Sequence, residues 1–259
     1  NAFRFNHSAT DRCPLCGEVD SKNHIALRCS HHTQQGMIMN RHHTAVSLCG
    51  KAISKGSLGS SIVTMDACNN EKLLEQQIEV PDDIVREIPD WLFPDGTTQA
   101  SRHQSRPDAV LVRAIPGRPT YTDPKLIPHR NRDIHLVEVK YCSDTNPLPS
   151  LQLAADQHAN TISRLKTHNL RNSDRRNKVT LHIILLGVAG TIYNEHTITP
   201  LINLRLTRQK AQTLASKLSC HALHRLSNII NTRHKINMQG DGSGGGTGGT
   251  TVESRRRVR

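Results

Sequence analysis

Three cysteines and a histidine fall inside residues 13–29, as Cys13-Pro14-Leu15-Cys16, then His24, then Cys29. No other feature narrows the folding of this chain so much. So short a stretch has too little apolar surface to fold alone. Three thiols and one imidazole at this spacing match a closed tetrahedral Zn2+ site, structural in kind, whose metal supplies the folding free energy. His31, His32, His42 and His43 are rival ligands, but only His24 sits between the thiols in register. Cys49, Cys68, Cys142 and Cys220 are scattered and read as small buried residues. Seven cysteines, an odd number, clustered with histidine speak for metal ligation in a reducing compartment and against a disulfide framework.

The charge balance sets the partner class. Lys and Arg number 34 against 22 Asp and Glu, a formal net charge of +12, so a polyanion is expected, nucleic acid first. Aromatic residues make up only 3%, which argues against an aromatic base-stacking platform. No apolar run is long enough to span a bilayer and no signal-peptide pattern opens the chain, so no membrane partner is expected. The first residue is Asn1, not Met, and a fragment of a longer protein is expected.

Patterning divides the 259 residues into a metal module over 1–35, a linker with a short helix over 36–67, an α/β domain over 68–235, and a Gly-rich basic tail over 236–259 that cannot bury a core and reads as disordered. Within the linker, Met37, Val46, Leu48 and Ile53 suggest a helix ending near Lys55-Gly56-Ser57. Asn69 to Val80 reads as a helix stopped by Pro81. Ala109 to Val112, Ile134 to Tyr141 and Val179 to Val188 read as strands, the first a continuous apolar run suited to burial on both faces. Leu151, Ala154, Ala155, His158, Ile162 and Leu165 recur at helical spacing, and a final helix is expected over roughly 202–231. The order implies a central mixed sheet flanked by helices.

Two segments on neighbouring strands carry chemistry. Arg106-Pro107-Asp108 opens the first strand, and Glu138-Val139-Lys140 lies inside the second. Period-two alternation puts Glu138 and Lys140 on the face of Ile134 and Leu136, with Val137, Val139 and Tyr141 on the other. A charged pair in an otherwise apolar strand needs a compensating partner such as a metal ion, and Asp108 is placed to share it.

These residues support two linked resemblances. The Cys-Cys-His-Cys spacing, His24-Ile25-Ala26-Leu27-Arg28-Cys29 and Arg41-His42-His43-Thr44-Ala45-Val46 resemble the zinc module that follows the reverse transcriptase of early-branching non-LTR retrotransposons. The Pro107-Asp108 and Glu138-Val139-Lys140 pair resembles the PD-(D/E)xK nucleases, which follow that module in such elements. The resemblance, carried by residues 10–170, implies a restriction-endonuclease-like fold that nicks DNA. Asp108 and Glu138 would hold Mg2+, and Lys140 would act on the nucleophile or the developing charge. Asp123 is an alternative second acid, though its proline-rich loop holds a carboxylate less firmly than a strand holds Glu138. Glu75 and Glu79 are candidates for a further acid, and Gln157 for a polar helper on the next helix. The same resemblance implies action in the nucleus on a DNA target, contact with element RNA, and an upstream reverse transcriptase primed by the nick.

Overall fold

The structure is a computed structural model that describes residues 11–65, 89–98, 101–102, 105–115, 117, 121–128, 131–167 and 178–241. Its centre is a sheet of β1 (Ile62–Met65), β2 (Ala109–Ala114), β3 (Arg132–Cys142) and β4 (Lys178–Gly187). The strands lie in that order, antiparallel at β1–β2 and β2–β3 and parallel at β3–β4. The parallel step needs a crossover, which α2 (Leu148–Thr167) provides. Around the sheet stand α1 (His32–Ser54), α3 (Thr199–Asn203) and α4 (Arg208–Asp241). The chain is thus α/β, with a four-stranded mixed sheet flanked by helices.

Alternation along the strands builds two cores. Ala109, Leu111, Val137, Val139, Ile184 and Leu186 face α1, α3 and α4, meeting Ala45, Val46, Cys49, Ile53, Leu201 and Leu218. Val110, Val112, Ile134, Leu136 and Val179 face the other way, against Leu165 of α2 and the loop residues Leu92, Phe93 and Ile127. Both layers being covered explains why β2 and β3 carry apolar residues at successive positions. α1 and β1 approach so closely at Gly50 that a side-chain carbon there would overlap Met65, which is itself buried.

Asp144, just past β3, fastens the far end of the sheet. Its carboxylate accepts from the Ala189 N–H at 3.0 Å and the Thr191 hydroxyl at 2.8 Å. Lys22 of the N-terminal module reaches the same carboxylate at 3.1 Å. That module is docked at two further points. Arg41 of α1, fully buried, donates to the Ala26 carbonyl at 2.5 Å and stacks over Tyr141. Arg233 of α4 donates to Asp20 at 2.7 Å.

Three expectations are corrected. The helix read as short within the 36–67 linker is the 23-residue α1, which begins at His32, and the segment ends in a fourth strand, Ile62–Met65. The final helix is broken, because α3 ends at Asn203 and the chain turns through Arg205 before Thr207 starts α4, its hydroxyl accepting from the Lys210 N–H at 3.3 Å. α4 then runs to Asp241, past the expected start of the tail at 236. The helix read over 69–80, with Glu75, Glu79 and Cys68, and the tail from 242 onward lie outside the described residues.

Candidate functional site

Cys13, Cys16, His24 and Cys29 converge, their ligand atoms lying within 4.8 Å of one another, and no other such group of three or more exists among the described residues. A tight turn brings the first two thiols together. The Gly17 N–H donates to the Cys13 carbonyl at 2.8 Å, and Gly17 takes φ 78°, a conformation that costs glycine nothing. The Cys13–Cys29 and Cys16–Cys29 sulfurs are 4.0 and 3.8 Å apart. A tetrahedral ion with Zn–S bonds of about 2.3 Å spaces its sulfurs by roughly 3.8 Å. The cluster could therefore hold a metal such as Zn2+. His24 presents Nε2 to Cys16 at 3.2 Å while Nδ1 faces Glu18 at 3.5 Å, the carboxylate-backed arrangement of many metal-bound imidazoles. Burial pushes the Cys29 thiol up to about 12, so a metal must displace a proton to bind there. Arg233 donates to Cys13 Sγ at 3.1 Å. His31, His32, His42 and His43 are not in the cluster.

The second constellation lies where β2 and β3 meet. Ala109, the first residue of β2, pairs with Val137, so Asp108 stands just outside the strand beside Glu138 and Val139 of β3. The two carboxylates are gripped differently. Asp108 lies at the mouth of β2, where Oδ2 accepts from the Val139 N–H at 2.6 Å and Oδ1 from His42 Nε2 of α1 at 3.0 Å. Glu138 projects to the α2 side, where it meets His158 at 2.9 Å and Lys140 at 2.7 Å. Lys140 also donates to Gln157 Oε1 at 3.1 Å. Since an ionised carboxylate only accepts, His158 carries a proton on the Nε2 that faces Glu138.

Burial pushes the Asp108 carboxyl up, against the hydrogen bond and charge of His42, and the nearby Glu138 charge adds to the rise. Burial acts on Glu138 in the same sense, but the His158 hydrogen bond and the Lys140 ammonium outweigh it and hold that carboxyl below its usual range. Burial pulls His42 down, but its bond to Asp108 and the charges of Asp108 and Glu138 together outweigh that and hold it up. Both acids are thus buried, and the charge of Glu138 is felt at Asp108.

Asp123 is committed elsewhere. Its carboxylate caps the turn Pro124–Leu126, accepting from the Lys125 N–H at 2.8 Å. Sequence reasoning did not assign His42 and His158 to this site. His158 looked like an apolar-face position of α2, and it is in fact fully buried. His42 looked like a rival zinc ligand, and only the packing of α1 on the sheet brings it to Asp108. A buried imidazole at helical spacing beside a strand carrying Glu138 was the available signal.

The arrangement is thus a Cys3His cluster docked on a mixed-sheet domain whose strand junction gathers two acids, one lysine and two histidines. Comparison with protein-family models, with curated proteins and with solved structures finds no match to this chain.

Proposed function

We propose that the chain is a metal-dependent DNA-nicking domain of the restriction-endonuclease type, preceded by a structural zinc module, from the C-terminal part of a non-LTR retrotransposon polyprotein. The carrying observation is that Asp108 accepts from the Val139 N–H, next along β3 to Glu138, with Lys140 in contact with Glu138 and Gln157. Asp108 and Glu138 are the residues that would hold Mg2+, which when bound polarises the phosphate and makes water a better nucleophile. His42 and the Val139 N–H hold Asp108 so that one carboxylate edge stays fixed. Gln157 keeps the Lys140 ammonium at the mouth of the site, where it meets the charge that grows on the phosphate oxygens. Water attacks phosphorus, the bond to the 3′ oxygen breaks, and that oxygen takes up a proton. The products are a 5′-phosphate and a 3′-hydroxyl, the latter the primer end that an upstream reverse transcriptase in the full-length protein would extend. Net charge of +12 favours the DNA target, and element RNA by the same electrostatics. The site of action on this reading is the nucleus.

A second reading has its own observation. Glu138 already has Lys140 and His158 as partners, the compensation a purely structural ion pair would need. On that reading the chain is a catalytically inactive zinc-containing nucleic-acid-binding fragment. Supercoiled plasmid incubated with the protein and Mg2+ separates the two. The nuclease reading expects nicked circles whose ends a DNA polymerase extends without phosphatase treatment. Binding without nicking supports the second reading.

A further inference from the structure

A second polar cleft lies at the opposite end of β3, lined by Asp133 and His135 of β3, Lys178, Thr180 and His182 of β4, and Arg205 of the α3–α4 turn. Its volume is about 430 Å3. A neighbouring hollow of about 510 Å3 shares Arg205 and adds Arg113 with Ser57 and Ser61. We propose that this cleft binds a phosphate group, the chemistry common to a nucleic-acid backbone and to free phosphate, through Arg205, Lys178 and the His135–His182 pair.

Three observations carry the proposal. The cleft is short of negative charge. Arg113, Lys178 and Arg205 face a single carboxylate, Asp133, already engaged by Arg113 at 3.7 Å and by His135 at 3.5 Å. Its imidazoles form a buried pair, His135 Nδ1 and His182 Nε2 lying 3.0 Å apart, so one donates to the other. His135 Nε2 faces only the Asp133 carboxylate, at 3.5 Å and without a hydrogen bond, so a phosphate oxygen is a better acceptor for it. Lastly, the turn that closes α3 fixes Arg205 at the cleft: its N–H donates to the Ile202 carbonyl at 2.8 Å and that of Leu206 to the Leu201 carbonyl at 3.2 Å, a helix end that sets Arg205 at φ 66° and holds this cationic residue in the cleft lining. The same residues do not make a metal site, since they are not among groups whose ligand atoms converge within 4.8 Å.

The cleft is separable from the hydrolytic constellation. Asp133 and Glu138 are five residues apart on β3, roughly 16 Å at the usual rise per residue. His135 shares the sheet face of Val137, while Glu138 lies on the α2 side. Failure of the nuclease reading therefore leaves this proposal standing, and the reverse holds too.

The test is NMR of the imidazole resonances in the zinc-loaded chain without added Mg2+, titrated in one arm with inorganic phosphate and in the other with a short DNA duplex. Saturable shifts of His135 and His182 are expected in both arms. The design uses Arg205→Gly, which removes the cation and suits the backbone conformation, so the protein should be at least as stable as before. That variant should weaken either ligand by about tenfold, and should lower the salt dependence of DNA binding by about one counterion, as should Lys178→Gln. Shifts with phosphate alone would make free phosphate the ligand, with DNA excluded as its source. Absence of shifts in both arms, or unaltered affinity in folded Arg205→Gly, would overturn the proposal.

Discussion

The grip on Glu138 can be measured independently of any activity. The side chain is 3% exposed and accepts two charge-assisted bonds, from Lys140 at 2.7 Å and His158 at 2.9 Å. Glu138→Ala deletes both and strands His158, whose other ring nitrogen is buried without a partner. Bonds to charged groups contribute about 1.5–3 kcal/mol each, and breaking a buried pair costs about 3–5 kcal/mol, so a loss of about 4 kcal/mol is expected. Glu138→Gln keeps an acceptor in the same place and should lose only about 1–2 kcal/mol. With a urea slope of about 2 kcal/mol/M, the alanine variant's midpoint falls by roughly 2 M and the glutamine variant's by less than 1 M. The assay is urea unfolding followed by circular dichroism on zinc-saturated protein, with slopes compared to confirm that only stability has changed. A cost below about 1 kcal/mol for Glu138→Ala would refute the reasoning, because the carboxylate would then be solvated and not held for a cation.

Other outcomes follow from the same contacts. Burial and the adjacent His135 lower His182 to about 4. Its folded value lies below the unfolded value near 6.5, so its contribution is present above pH 6.5 and is lost as the pH falls towards 4, by at most about 1.4 kcal/mol per pH unit. His182→Gln should flatten that part of the stability profile, and an unchanged slope would contradict the burial argument. The Cys3His cluster should bind one equivalent of zinc, measured by elemental analysis, and Cys16→Ser should lose it. Arg233→Met, which removes the donor to Cys13 Sγ, should weaken zinc about 10–100-fold in a competition titration. Gly50→Ala should destabilise by about 1–3 kcal/mol in thermal or urea unfolding, since the added methyl displaces Met65, whereas a neutral result would mean that β1 is free to move away.

Much of the architecture was legible in the chain. Period-two alternation in Ile134 to Tyr141 sorted Glu138 and Lys140 onto one face and Val137 and Val139 onto the other, and the two cores divide in that way. The Cys3His cluster was legible for a different reason, because thiols at short range have few competing uses. What escaped was decided at long range. Ile62–Met65 is four residues long and pairs with β2 some 45 positions later, so no local period marks it as a strand. The break at Arg205 is invisible to helical periodicity, as Leu204 and Ala211 keep their apolar spacing across it. His42 reaches Asp108 only because α1 packs across the sheet, and a helix's own sequence does not say which residue will face a carboxylate 66 positions away.

The most direct measurement is single-turnover cleavage of DNA held at saturating protein with Mg2+, comparing wild type with Asp108→Asn and Glu138→Gln, DNA affinity being measured alongside. Wild type should nick, and each variant should bind DNA normally yet cleave at least about a hundredfold more slowly, the loss of several kcal/mol expected when a carboxylate no longer holds the cation. Variants that cleave at the wild-type rate would contradict the assignment of Asp108 and Glu138 to a hydrolytic centre.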